Sequence, residues 1–314
     1  MATTEAPKTT GTATTTATVT PLALAHAAEH HPQGRKRRGQ RVPVAVLLCF
    51  LVLGAIILAA IFAPLIAPHD PTLQSLREKN RPPAWLGGTT NYLLGTDNLG
   101  YDIFSRLLFG ARVSLGIGFF AALIGTVVGT TLGLIAGFFR GWPDWLIMLF
   151  VDAQLATPFI VIAIAAIAAF GKSITILVVL AGLSGWMLFA RAVRSAMLSL
   201  RERDFVTAAR AVGATDGRIL WRHMLPNLGS IVLVIATIDL RRVILFEATL
   251  SFLGLGVQPP QASWGSMIDR GREYLNTAWW ISVFPGVALV LTVLTVSLIG
   301  DWLRDILDPT LRNG

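Results

Sequence analysis

Four constellations in this 314-residue chain combine residue types and spacings that could do chemistry. His26-Ala27-Ala28-Glu29-His30 has the H-x-x-E-H spacing that lets a helix offer two imidazoles to zinc. That chemistry needs a stable helix, a third ligand and a dry cleft. The surrounding Thr/Ala/Pro-rich stretch, residues 1 to about 33, has no apolar periodicity and is expected to be disordered. Gly171-Lys172-Ser173 ends like a phosphate-binding loop, but Ala166 stands where the first glycine is needed, so that reading fails. Gly182-Leu183-Ser184-Gly185 has the GxSG form of an intramembrane serine protease. Its serine would need a histidine from another span, and histidines 26, 30, 31, 69 and 223 all lie outside the apolar runs. Small residues there read more simply as close helix packing.

The fourth constellation is Asp239, Arg241, Arg242 and Glu247, inside an apolar run. A charge at the centre of a membrane helix costs roughly 2.5–3.5 kcal/mol, and four facing lipid would cost on the order of 10 kcal/mol. Most must therefore face a bundle interior or water. Asp239 and Arg242 are three apart and can pair on one helix face. Two readings stay open. The group is either a self-neutralised cluster that holds helices together, or part of a translocation pathway in which Arg241 or Arg242 meets solute carboxylates.

The elements that position these residues follow from composition. Apolar residues make up 54% of the chain and charged residues 14%, against about 25% in an ordinary soluble domain. Mean hydropathy is +0.63, so lipid is the expected solvent. The net charge of +8 is concentrated near residues 35 and 200, which reads as membrane topology and not as a nucleic-acid surface. The only cysteine, Cys49, excludes a disulfide framework and a thiolate metal site.

An apolar run from Val44 to Ala67 follows Arg35-Lys36-Arg37-Arg38 and Arg41. It is too long for a signal-peptide core and long enough for a first span, since about 20 helical residues cross a bilayer. Residues 68–105 are polar and Pro-rich, with balanced charge. Further apolar runs at about 111–139, 145–170, 174–199, 227–252 and 279–303 make six expected spans. The segment from Arg191 to Pro226 carries seven arginines against Glu202, Asp204 and Asp216. That excess places it, and with it the N-terminal tail of residues 1–43 and the C-terminus, on the cytoplasmic side. Residues 68–105 are then extracytoplasmic, and residues 106–314 form a core of five spans.

Within the Arg-rich segment, Phe205, Ala208, Ala209 and Val212 recur at helical spacing. Gly213 supplies the left-handed residue that ends a helix. Thr215 or Asp216 is placed to cap a second helix, Arg218 to Leu225, that is expected to stop at Pro226. Alanines anchor poorly in lipid but let two backbones pack closely, which favours a protein partner over a headgroup-bound amphipathic helix.

Thr207-Ala208-Ala209, Gly213 and Leu225-Pro226 resemble, with spacing kept, the EAA-x3-G-x9-I-x-LP signature of ABC importer permeases. Thr207 replaces the signature's Glu, and His223 its Ile. Three further stretches resemble the C-type permease of the dipeptide/oligopeptide/nickel branch. They are Leu94-Gly95-Thr96-Asp97 through Ser105-Arg106 to Leu115, with Tyr101 where the branch usually has Arg; Leu250 through Pro260 with Ser263-Trp264-Gly265; and Phe284-Pro285-Gly286 through Gly300-Asp301 to Leu307-Asp308-Pro309.

The resemblance implies an all-α integral membrane protein with the six-helix type I importer permease fold. It also implies that residues 203–226 hold the coupling helix that docks an ATPase subunit through Phe205, Thr207, Ala208, Ala209, Gly213, Leu225 and Pro226. The implied partners are a homologous second permease, two ATPase subunits and an extracytoplasmic substrate-binding protein. The implied cargo is a peptide, with nickel or another small solute as the alternative. The chain itself is non-catalytic and without a cofactor, with ATP and magnesium held by the ATPase subunits. From a different class, a self-contained secondary transporter remains the rival, although no midplane site between inverted repeats is evident.

Overall fold

The computed structural model describes residues 43–307. The H-x-x-E-H stretch, the basic cluster at 35–41, the expected disorder of the N-terminal tail and the pair Asp308-Pro309 lie outside the described residues. Every regular element among the described residues is helical, and Thr96 and Asp102 form an isolated bridge.

Helix α1 spans Val44–Ile61 and continues, after Phe62, as the short α2, Ala63–Ile66. Its only buried residues are Val46, Cys49 and Ala60, while Leu47, Leu48, Leu51 and Leu58 are exposed. A helix apolar all round with one thin buried stripe is lipid-facing on its other sides. The stripe packs on the C-terminal helix, where Phe50 and Trp302 meet edge-on at 5.8 Å.

Helix α3 spans Ile103–Phe139. It begins earlier than the apolar run that starts at 111, because Asp102 caps it: its carboxylate accepts from the Ser105 N–H at 3.0 Å. At 37 residues it is about 55 Å long by the 1.5 Å rise per residue, well beyond one bilayer core. It is the axis of the fold, and its glycines determine what lies against it. A Cβ added at Gly129 would sit 2.2 Å from the Trp186 carbonyl oxygen, and one at Gly133 2.7 Å from that of Ala190. Backbones come this close only where one side has no side chain.

The apolar run 145–170 is not one straight span. Helices α4, Gly141–Ala156, and α5, Phe159–Phe170, are bent by 91° to each other. Pro158 has no N–H to donate and forces the preceding Thr157 into extended backbone, φ −109° and ψ 131°. The next run divides into α6, Ile174–Leu183, and α7, Trp186–Leu200, at Ser184-Gly185. After a loop helix, α10, Leu225–Phe252, runs 28 residues. A short α11, Trp264–Gly271, then packs among α3, α10 and α12, which spans Trp280–Leu307.

Four helical segments are long and apolar enough to cross a membrane, or five if the bent α4–α5 pair is one span. The sixth expected span is α10. It is long enough, but Asp239, Arg241, Arg242 and Glu247 give it too many charges to pass on composition. The chain turns after Leu250: α10 ends at Phe252 and the Leu255 N–H donates back to the Leu250 carbonyl at 2.9 Å. Ser263 and Ser266 then form a reciprocal capping box for α11.

Candidate functional site

The residues singled out in the sequence fall in two separate places, the loop between α7 and α10 and the middle of α10. In the loop, helix α8 covers Asp204–Ala211 and is anchored from beneath. Val206, 1% exposed, lies with Ile219, Leu220 and Met224 on Leu134, Phe138, Val193 and Met197. Gly213 has φ +81°, and its N–H and that of Ala214 donate to Arg210 and Ala209 carbonyls at 2.9 and 3.0 Å. A left-handed residue followed by a bond reaching further back is how a helix is closed by glycine. The Thr215 hydroxyl accepts from the Arg218 N–H at 3.4 Å and starts α9, Asp216–Arg218.

Two details differ from expectation. The chain does not stop at Pro226. It passes through a π-helical stretch, Ile219–Met224, straight into α10, and Pro226, which has no N–H to donate, directly follows that distortion of the hydrogen-bond ladder. The Asn227 amide donates to the His223 carbonyl at 2.6 Å within this distorted stretch. Ala209 also does not share the outward face: it leans on the core with Leu225, while Phe205, Thr207, Ala208, Val212 and Pro226 are exposed. Val212 is 85% and Trp221 60% exposed. A rigidly seated helix thus presents apolar and small side chains away from its own subunit.

The loop's arginines are not all free positive charge. Arg194 makes a bidentate pair with Asp144, and Arg191 pairs with Asp152, both on α4. Arg201 donates to the Phe138 carbonyl at 2.7 Å and lies 3.4 Å from Glu202. These pairings tie α7 and the loop entrance to α4 and α3.

The four intramembrane charges separate into three environments. Asp239, fully buried, accepts from Arg242 Nε at 2.8 Å, the pair anticipated from their spacing. Arg242 Nη1 also donates to the Ser184 hydroxyl at 2.9 Å. This arrangement needs Gly185, where a Cβ would lie 2.3 Å from Arg242 Nη2 and 2.5 Å from Asp239 Oδ1. Arg241 points elsewhere and donates to Ser297 on α12. Glu247, 1% exposed, accepts from Ser251 at 2.6 Å and lies 3.4 Å from the Ser114 hydroxyl. Of the four, only Arg241 and Arg242 keep accessible surface.

The GxSG residues are absorbed here: Ser184 is buried, donates to the Ala181 carbonyl at 2.6 Å and receives Arg242. A Cβ at Gly182 would meet the Ala121 carbonyl at 2.9 Å, as expected of a packing glycine. In the phosphate-loop mimic, Lys172 donates to the Gly254 carbonyl at 2.8 Å and Ser173 caps α6. At the opposite end from the Arg-rich loop, Pro68, His69, Phe109, Arg112, Pro260 and Gln261 border a cleft of about 590 Å³. Sequence reasoning missed Val206 as the loop's anchor and Ser184, Ser297 and Ser114 as partners of the buried charges. Only the Glu247/Ser251 pair, four apart, had a local signal.

Residues 129–313 match the family described as the binding-protein-dependent transport system inner membrane component. The chain belongs to that family. Residues 44–83 of this permease match the N-terminal transmembrane domain of oligopeptide transport permease C. It is 42% identical over 277 residues to a putative peptide transport system permease of Brucella suis, covering 88% of this chain and 90% of the relative. It is also 42% identical to the di/tripeptide transport system permease DppC of Pseudomonas aeruginosa, over 85% and 88% of the two chains. To the glutathione transport system permease GsiD of Pectobacterium atrosepticum it is 41% identical, over 87% and 89%. Among solved structures, the inward-facing MetNI methionine ABC transporter matches with a TM-score of 0.54 at 20% identity, over 66% of this permease and 98% of that chain. At that identity the match establishes a common fold. The permease is a multi-pass protein of the inner membrane with the type I importer architecture.

Proposed function

We propose that this permease forms half of the translocation pathway of an ATP-driven importer of di- or oligopeptides. The observation that carries the reading is the loop helix α8, seated on a core by Val206 and turned by Gly213 so that Phe205, Ala208 and Val212 face away from the subunit. A helix held this way transmits a push along a rigid path. In this reading Phe205, Thr207, Ala208, Ala209, Gly213, Leu225 and Pro226 dock an ATPase subunit, Ala209 and Leu225 from the side of the core. Relatives named as peptide permeases support the cargo class.

A homologous second permease completes the pathway, two ATPase subunits bind ATP and magnesium, and a substrate-binding protein delivers cargo at the extracytoplasmic segment 68–105. Both termini and the α8 loop are cytoplasmic. ATP-driven closure of the ATPase pair would move the α8 helices of both permeases and rock the spans from inward- to outward-facing. Hydrolysis resets them. Asp239 and Glu247 hold the helices, and Arg241 and Arg242 offer their remaining exposed surface to the path and to cargo carboxylates.

The test is ATPase activity of the affinity-purified native complex, with and without Gly213→Pro. Proline locks φ near −65° and cannot adopt +81°. Wild type should bring down active ATPase subunits and the variant should lose them. Wild-type protein that purifies alone and moves solute in liposomes without ATP would establish the secondary transporter instead.

A further inference from the structure

We propose that the junction of the outer loop with α3 and α11 holds one small inorganic anion of the halide class, between Arg106 and Arg270. Arg106 is 1% exposed, and none of its three guanidinium nitrogens has a hydrogen-bond partner among the described residues. Its neighbours account for only part of what a buried guanidinium requires. The Tyr101 ring covers one face at 4.2 Å. Asp97 Oδ2 lies 3.9 Å from Nη1, beyond hydrogen-bond length. The other carboxylate oxygen of Asp97 is taken by the Leu99 and Tyr101 N–H groups at 2.9 and 3.0 Å.

Arg270, on α11, adds a second cation whose Nη1 is buried and equally without a partner among the described residues. Both arginines and Asp97 line one cavity, closed by Ile103, Met267 and Ile281. Of the other carboxylates, Asp102 does not line the cavity and caps α3 through Oδ2, its Oδ1 having no partner among the described residues, and Asp269 lies 3.4 Å from Arg272.

Two guanidiniums and one carboxylate leave an excess of one positive charge around an enclosed space. Buried charge persists only where it is compensated. Water would satisfy donors and leave the charge, whereas an anion does both. The cavity measures about 10 Å³, room for one small occupant only. Carboxylate or phosphate ligands are too large, so chloride is the fitting class. Tyr101 helps: an aromatic face lies over Arg106 without spending a hydrogen-bond donor of the guanidinium.

The purified complex is unfolded by heat in sodium chloride, sodium bromide and sodium gluconate at equal ionic strength. The halides should raise the midpoint by about 3 °C or more over gluconate, as expected for a ligand bound only by the folded state. Arg270→Gln should fold and lose that difference, and Arg106→Gln should lose it if it folds. A bromide-soaked crystal should give an anomalous peak between the two guanidiniums. Equal midpoints in all three salts together with no bromide peak would overturn the proposal in favour of water. A halide effect that survives in Arg270→Gln would place the anion elsewhere and overturn it as well.

Discussion

Arg242 is engaged on two sides, by the Asp239 carboxylate and the Ser184 hydroxyl. Removing one partner of a buried ion pair strands the other, at a cost of about 3–5 kcal/mol, whereas removing both costs much less. Asp239→Asn should therefore lower the stability of the purified complex more than Asp239→Asn combined with Arg242→Gln, and a double-mutant cycle on thermal unfolding measures the difference. Arg241 has a hydroxyl partner on α12 and no carboxylate within ion-pair distance among the described residues. If the arginines meet cargo, Arg241→Ala should cut uptake of a labelled peptide about tenfold in well-inserted protein, with Arg242→Ala doing the same. Unchanged uptake in both would leave these residues a purely structural role. The Asp239/Arg242 pair was legible from its spacing of three. Gly185 and Ser184 were not legible as its setting, because they come from the break between α6 and α7, more than fifty positions away.

At the scale of the element, the loop helix has two faces with opposite tasks. Val206 is sealed in the core beneath α8 and Val212 stands free at its end, 1% against 85% exposed. Val206→Asp should disrupt the loop's seating and reduce the yield of folded permease, since a buried unpaired carboxylate destabilises by several kcal/mol. Val212→Asp should leave yield and melting unchanged while reducing ATPase co-purification about tenfold. The same charge six positions apart thus separates folding from docking. The periodicity of Phe205, Ala208 and Val212 and the terminating glycine were visible in the sequence. The fate of Pro226 was not, because a proline ends a helix or opens its next segment depending on the hydrogen bonds before it. Here a π-helical stretch precedes it and the chain runs on. Pro158, in contrast, breaks by 91° a run that hydropathy alone presents as one straight span.

For the whole molecule, orientation is the property that the Arg-rich loop argues for and that labelling checks. Cys49 is the only cysteine, so Cys49→Ser gives a clean background. With Thr89→Cys, a membrane-impermeant maleimide should react on intact cells. With Val212→Cys, in cells that express the permease without its ATPase subunits, it should react only after permeabilisation. The reverse pattern would invert the topology and remove the basis for placing an ATPase at α8. Both positions are exposed, so accessibility is decided by the membrane and not by the fold.

What the sequence by itself determined is whatever one segment decides alone. Apolar length set most of the spans, the arginine count set the expected side of the loop, and Gly213 set where α8 ends. Those depend on transfer of a segment into lipid and on local backbone sterics, both written in consecutive residues. Only the tertiary structure decided where α3 touches α7, which charges are sealed and which stay open, and that Arg191 and Arg194 are held by Asp152 and Asp144. In lipid an apolar side chain gains nothing by turning inward, so hydropathy cannot say which face of a helix packs. Clearance at glycines and the pairing of distant polar groups decide it, and both exist only once the helices are assembled.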